Sequence, residues 1–187
     1  MSDQTKDPEI LTRDDGSMIA YRHTAGKSPG VTFLTGFKSD MQGGKATTLE
    51  TFCTAKGHAF TRFDYFGHGE SSGAFEDGTI GRWADDTVHV LDTVTEGPQV
   101  LVGSSMGGWI MLHVALALGP QISGMIGIAA APDFTRDLMW RDLTAEQRQT
   151  LNRDGIILLD SEHDSEGYPV TKAFIEDGEK NLLMEIL

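Results

Sequence analysis

Two serines stand between glycines in the stretch GSSMGG, residues 103–108. A β-rich apolar run, Val100 to Val102, precedes this stretch, and a helix-compatible apolar run follows it. The pattern Gly103-x-Ser105-x-Gly107 is typical of a sharp strand-to-helix turn, in which side chains at the glycine positions would collide with neighbouring backbone. Such a turn lifts the serine hydroxyl above the carboxyl edge of a sheet. We therefore predict Ser105 as a nucleophile for acyl transfer.

Acyl transfer also needs donors for the negative charge that develops on the substrate oxygen. The helix that begins after Ser105 directs its N-terminus toward that point, so we expect the backbone N–H of Met106 to be one donor. The run GVTFLTGF, residues 30–37, predicts a buried strand that ends at Gly36. The backbone N–H of Phe37 is then the expected second donor, although an ordinary strand-ending turn would leave the same pattern.

Two other interpretations of GSSMGG are open: a phosphate-binding loop (a phosphate cradle), and a tight turn that serves only packing. The phosphate cradle is disfavoured, because neither G-x-G-x-x-G nor the Lys-Ser/Thr of a Walker loop is present.

The surrounding elements alternate between apolar runs and helical patterns. Extended runs flank Asp14-Asp15-Gly16, which predicts a hairpin. A helix is expected from about Gly44 to Lys56, and an amphipathic helix from Thr79 to Thr95 with Asp86 off its apolar stripe. The run Met125 to Ala131 predicts another buried strand. The order indicates an α/β fold with a mainly parallel sheet covered by helices on both faces, in one domain spanning 1–187.

Composition narrows the function classes. The chain has 187 residues and a formal net charge of -13, which disfavours nucleic-acid binding. Its apolar runs are too short for a membrane span, and residues 1–21 lack the patterns of a signal or transit peptide, so we expect a cytoplasmic protein. Cys53 is the single cysteine, which excludes an internal disulfide. No metal or cofactor is expected.

Three segments together resemble the α/β-hydrolase fold: Gly36-Phe37, FDYFGHGESSG at 63–73, and VGSSMGGW at 102–109. Within that fold they are similar to small serine hydrolases of the palmitoyl-protein thioesterase and acyl-glucuronide esterase subgroup and its bacterial relatives. The resemblance implies a serine esterase or thioesterase that acts on a small-molecule acyl ester or thioester. It also implies that the loop at 64–69 is structural.

A serine hydrolase needs a base and an acid besides the nucleophile. After Ser105 the chain has two histidines, His113 and His163. His113 lies two helical turns beyond Ser105 and points elsewhere, which leaves His163 as the candidate base, with His68 as an alternative from the loop at 64–69. Asp133 is the candidate acid, because it follows a predicted strand at the correct edge of the sheet.

The resemblance places the acid and the histidine after two further strands, which this sequence does not contain. We therefore expect a chain that is truncated at its C-terminus, with Met125 to Ala131 as an open sheet edge available for self-association. The alternative function is a non-catalytic, hydrolase-like module that binds a ligand or a partner.

Residues 134–168 leave the sheet pattern and predict a lid-like insertion over Ser105. Thr144 and Gln147 form a capping box that begins a short helix. The apolar residues of the insertion are expected to line an acyl pocket: Phe134, Leu138, Met139 and Trp140. The alternative is that they only pack the lid onto the domain.

Overall fold

The computed structural model describes residues 7–159 and 167–184. Its main sheet has six strands, which are β1 Glu9–Thr12, β2 Met18–Thr24, β3 Lys27–Leu34, β4 His58–Phe63, β5 Gln99–Ser104 and β6 Ile122–Ile128. Across the sheet they lie in the order β1-β2-β4-β3-β5-β6. The strands β4, β3, β5 and β6 run parallel to one another, and the β1–β2 hairpin joins the sheet antiparallel to β4. A separate antiparallel pair consists of β7, Ile156–Leu159, and β8, Tyr168–Thr171.

Five α-helices connect or flank these strands: α1 Gly44–Ala55, α2 Ile80–Val94, α3 Met106–Leu118, α4 Ala145–Asp154 and α5 Lys172–Lys180. Short turns of 3₁₀-helix lie at Phe75–Asp77 and Gly119–Gln121, and a π-helix spans Thr135–Trp140. Successive residues of a strand point to opposite faces, so Phe33 joins a small core under α1, whereas Leu34 joins the large core under α2 and α3. None of the described helices is long and apolar enough to cross a bilayer.

The predicted α/β fold with a mainly parallel sheet is confirmed, with two corrections. The strand predicted as buried over Met125 to Ala131 lies three residues earlier, because Ala129 adopts a positive φ of 47° that ends the strand, and none of its residues is buried, since it lies at the sheet edge. Asp86, predicted on the polar side of its helix, is fully buried. The capping box of Thr144 and Gln147 is present at the start of α4. The β7–β8 pair and α5 were not predicted.

The strand β6 lies at one edge of the sheet and pairs only with β5 among the described residues. Met125 is 47% exposed and Ile126 is 54% exposed on this strand. The apolar edge expected from the sequence is therefore present in the described chain, and self-association through it stays a prediction.

The first turn of α3 lies directly against the end of β3. A Cβ atom at Gly107 would be 2.6 Å from the carbonyl oxygen of Thr35 and closer still to that of Leu34. A Cβ at Gly103 would meet the backbone of Gly107 in the same way. Backbone-to-backbone contact of this kind leaves no flexible side chain to move aside, so the glycines are required for the helix to begin where it does.

One ion pair is buried between α1 and β4. The Arg62 guanidinium donates to one carboxylate oxygen of Glu50 from both Nε and Nη2, at 3.1 and 2.9 Å. Both side chains are at most 5% exposed. A buried pair of this kind is costly to break, because removing one partner leaves the other charge without water or a counter-charge.

We expect Glu50→Ala to lower the free energy of unfolding by about 3–5 kcal/mol, because Arg62 would stay buried without its counter-charge. The matched control is Glu176→Ala, since Glu176 pairs with Lys172 at 3.6 Å where both side chains are largely exposed. The control is expected to change stability by about 0.5 kcal/mol or less. Urea denaturation of the three proteins measures both values, and equal effects of the two substitutions would contradict the expectation.

Gly107→Ala is expected to destabilise the fold by at least about 1–3 kcal/mol, the usual cost of overpacking, since its methyl group has no space against β3. Gly44→Ala is the control, because no atom lies within 4 Å of a Cβ built at Gly44. The control should be neutral or slightly stabilising. Thermal and urea unfolding compare the two, and a Gly107→Ala protein as stable as the control would show that the contact is not tight.

Candidate active site

Ser105 lies between β5 and α3 in a strained backbone conformation. Its φ is 53° and its ψ is -119°, which is a region that non-glycine residues rarely adopt. Its N–H donates to the carbonyl oxygen of Ile128 at 3.1 Å, and its own carbonyl accepts from Ala131 at 3.1 Å. The end of β6 thus holds the turn from one side. Ser105 is exposed while its neighbours in both directions are buried, as the turn pattern predicts.

The loop after β3, residues 35–41, contacts Ser105 from the side opposite the end of β6. A Cβ at Gly36 would lie 3.4 Å from the Cβ of Ser105, so the two backbones are in contact. Neither the N–H of Phe37 nor that of Met106 is bonded to an acceptor in the described part of the chain. The structure therefore brings together Ser105, Phe37 and Met106, the three residues that sequence reasoning placed at one site.

The Phe37 side chain anchors this loop in a cluster of aromatic rings. Its ring centroid lies 4.9 Å from that of Phe75, 5.2 Å from that of Phe174 and 5.6 Å from that of Tyr168. Tyr168 and Phe174 belong to β8 and α5, so both of these elements pack onto the 35–41 loop. The space between these rings is nearly filled, with a cavity of only about 10 Å³.

Asp133, the candidate acid, is fully buried and has a φ of 55°. Its carboxylate accepts backbone N–H bonds from Leu183 at 2.9 Å and from Met184 at 2.8 Å. These bonds fasten the end of the described chain to the loop after β6. They give Asp133 a structural task, and its assignment as the catalytic acid stays a prediction.

No histidine within residues 7–159 and 167–184 hydrogen-bonds to Ser105. His68 packs against the rings of Tyr65, Phe75 and Trp83, and burial lowers its pKa to about 4, so it is neutral near pH 7. His113 bonds to the carbonyl oxygen of Asn181 at 2.8 Å, which agrees with its exclusion as the base. His163 lies outside the described residues, and its assignment as the base stays a prediction.

The four residues predicted to line an acyl pocket separate into three environments. Leu138 and Met139 line a cavity of about 410 Å³, together with the residues Asp142, Leu143, Gln147, Leu159 and Tyr168. Trp140 lines a different cavity between the π-helix, α4 and α5. Phe134 lines neither, because it is 6% exposed and its ring packs between those of Phe37 and Trp109.

A further cavity of about 330 Å³ adjoins the site at the start of α1. Its lining includes Gly36, Ser104 and Lys45. Ser104 is 7% exposed, and its hydroxyl has no hydrogen-bond partner among the described residues. The lone thiol, Cys53, belongs to the core beneath α1, where burial raises its pKa, and it is not part of the site.

Sequence reasoning missed the buried carboxylates that organise the loops around the site. Asp64 accepts from the N–H of Met41 at 2.6 Å and from that of Glu70 at 2.9 Å. Asp86 accepts from the N–H of Phe66 at 2.8 Å and is paired with Arg13 and Arg82. Burial raises the pKa of both carboxyl groups. The sequence FDYFGHGESSG marked the loop as structural, but it gave no sign of these partners.

Known proteins with similar sequences and structures are hydrolases. The sequence profile of the Alpha/beta hydrolase family matches residues 49–180. The human protein named palmitoyl-protein thioesterase ABHD10, mitochondrial, is 41% identical over 176 residues, which are 94% of this chain and 57% of that protein. The chain thus spans less than two thirds of the length of this curated relative.

Solved structures agree with the sequence comparison. The structure of alpha/beta hydrolase domain-containing protein 10 from mouse superposes with a TM-score of 0.86 at 40% identity, covering 96% of this chain and 72% of that one. A crystal structure of a protein from Agrobacterium vitis superposes with a TM-score of 0.90 at 37% identity, covering 96% and 73% of the two chains.

The comparisons correct one expectation and establish the family. The expected cytoplasmic location is wrong, because the curated mammalian relatives, at 38–41% identity, are named as mitochondrial proteins. The features of residues 1–21 were therefore a poor guide to the compartment. The matched profile and the solved structures agree with the α/β fold described above, and the chain belongs to the alpha/beta hydrolase family.

Proposed function

We infer that this chain carries the nucleophile of a serine hydrolase that cleaves carboxylic esters or thioesters through an acyl-enzyme on Ser105. The observation that carries this proposal is the position of Ser105, exposed on a strained turn with two unbonded backbone N–H groups beside it. The names of the mammalian relatives, palmitoyl-protein thioesterases, support a thioester among the substrates.

The chemistry begins when the Ser105 hydroxyl oxygen attacks the carbonyl carbon of the substrate. The carbonyl oxygen becomes an oxyanion, and the N–H groups of Phe37 and Met106 donate to it. Fixed donors of this kind stabilise the transition state more than the ground state, because the charge develops only as the bond forms. The tetrahedral intermediate then expels an alcohol or a thiol, and water releases the carboxylic acid from Ser105.

Attack requires a base that takes the hydroxyl proton and returns it to the leaving group. The described residues place no histidine on Ser105, so His163 remains the candidate for this step. Asp133 remains the candidate acid. The alternative of a non-catalytic module gains no support from the comparisons, since the similar proteins with assigned names are hydrolases.

The acyl group is assigned to the cavity lined by Leu138, Met139 and Leu143. Its volume of about 410 Å³ is within the usual range for small-molecule sites. Tyr168 forms part of its wall, and its ring centroid lies 5.6 Å from that of Phe37, so one aromatic ring connects the cavity to the proposed donor residue. The leucines and Met139 give the cavity an apolar side for a hydrocarbon chain, while Asp142 and Gln147 make the rest of its lining polar.

Ser105→Ala is expected to abolish hydrolysis of a p-nitrophenyl acyl ester and of an acyl thioester, because the acyl-enzyme has no other oxygen on which to form. Loss of a catalytic serine typically lowers kcat by about a million-fold. Ser104→Ala is the control and should retain turnover, since the Ser104 side chain is buried one residue away. Equal turnover by Ser105→Ala and the natural chain, or no turnover by the folded natural chain, would contradict the proposal.

Leu138→Trp is expected to lower kcat/KM for long-chain esters by about tenfold or more relative to acetyl esters, because the larger ring would narrow the cavity. Leu116→Trp is the matched control, since Leu116 is an exposed leucine on α3 that does not line the cavity. The measurement is a series of p-nitrophenyl esters of increasing chain length. An unchanged chain-length profile in Leu138→Trp would place the acyl site elsewhere.

A further inference from the structure

The far end of the 35–41 loop is held by buried charged groups. The N–H of Met41 donates to Asp64 Oδ1 at 2.6 Å, and the carbonyl of Met41 accepts from Arg62 Nη1 at 2.8 Å. The Met41 and Asp64 side chains are fully buried, and Arg62 is 1% exposed. Hydrogen bonds to ionised groups are stronger than those between neutral groups. The backbone of Met41 is therefore fixed on both sides.

Asp64 connects this loop to a second one. Its Oδ2 atom accepts from the N–H of Glu70 at 2.9 Å. Gly69, at φ 46°, leaves the turn close enough for that bond, since a Cβ there would collide with the Asp64 carboxylate. Each carboxylate oxygen thus receives one backbone N–H from a different loop.

The position of residues 36–39, at the end of the loop next to Ser105, depends on where Met41 is held. Gly36 contacts Ser105, and Ser39 closes a turn by donating its N–H to the Gly36 carbonyl at 3.1 Å. Lys38, between them, has a positive φ of 54°. Backbone strain of this kind persists only where the surrounding structure fixes it. The Phe37 ring holds the loop on one side of Lys38, and the hydrogen bonds of the Met41 backbone hold it on the other.

We propose that Asp64 is a positioning residue for the candidate oxyanion site, holding Met41 so that the Phe37 N–H stays directed toward Ser105. This inference rests on the proposed function. It gives the FDYFGHGESSG segment a task in the reaction in addition to its structural one: the carboxylate sets the geometry of a donor that acts only in the transition state.

Asp64→Asn is the direct test, because an amide has nearly the same shape but presents only one accepting oxygen to the two N–H groups. We expect amide hydrogen exchange in the 36–43 segment to become about tenfold or more faster, as one strong hydrogen bond is lost. We expect kcat to fall by about 10- to 100-fold, less than for removal of a donor, while KM changes little.

Asp86→Asn is the matched control, since Asp86 is equally buried and also accepts a backbone N–H, that of Phe66, from the neighbouring loop. It should lower stability while leaving exchange in 36–43 and kcat near those of the natural chain. Asp64→Ser is a second variant that removes the carboxylate without adding volume, and it provides the same two readouts if Asp64→Asn does not fold.

Two results from hydrogen exchange would overturn the inference: unchanged exchange in 36–43 for the Asp64 variants, or equal acceleration in Asp86→Asn. An unchanged kcat in a folded Asp64 variant of an active enzyme would overturn it as well. Absence of turnover by the natural chain is a different result, because it contradicts the proposed function while hydrogen exchange still decides whether Asp64 holds the loop.

Discussion

The strained turn at Ser105 is the constraint on which the rest of the structure depends. A serine with φ 53° costs about 1–3 kcal/mol relative to a relaxed conformation, so neighbouring backbone must hold it. The order of the sheet supplies this, because β5 lies between β3 and β6. The end of β6 bonds to the backbone of Ser105, and the end of β3 packs against Gly107. The two parallel strands beside β5 therefore fix the position of the exposed Ser105 hydroxyl.

Buried charged groups perform the same task for the loops that the sheet performs for Ser105. Asp64, Asp86 and the Arg62–Glu50 pair are each almost completely removed from water, and each contributes to holding a loop backbone near the site. Burial of a carboxylate is unfavourable, and it raises the pKa of Asp64 and Asp86. The bonds that offset this cost are directional, so the loops gain a defined position rather than merely a compact one.

The parts predicted from the sequence are those determined by local pattern. Glycine spacing located the turn at Ser105, and apolar periodicity located α1, α2 and most of the parallel strands. The parts that were missed depend on partners far along the chain. Asp133 binds backbone some 50 residues away, and Asp86 pairs with Arg13 across 73 residues. Periodicity assigns a residue to a face but carries no information on its partner, which is why Asp86 was expected on the polar side. For the same reason, the sequence pattern placed Phe134 in the predicted pocket, whereas in the structure its ring packs between those of Phe37 and Trp109.

We propose that the turn presents Ser105 as an activated nucleophile. The most direct measurement is the intact mass of the purified chain after reaction with a fluorophosphonate, which phosphonylates an activated serine with loss of fluoride. Peptide mapping then locates the adduct. We expect one adduct per chain, on Ser105 and not on the buried Ser104, and none in a Ser105→Ala protein. A folded chain that stays unlabelled, or that carries the label on another residue, would contradict it.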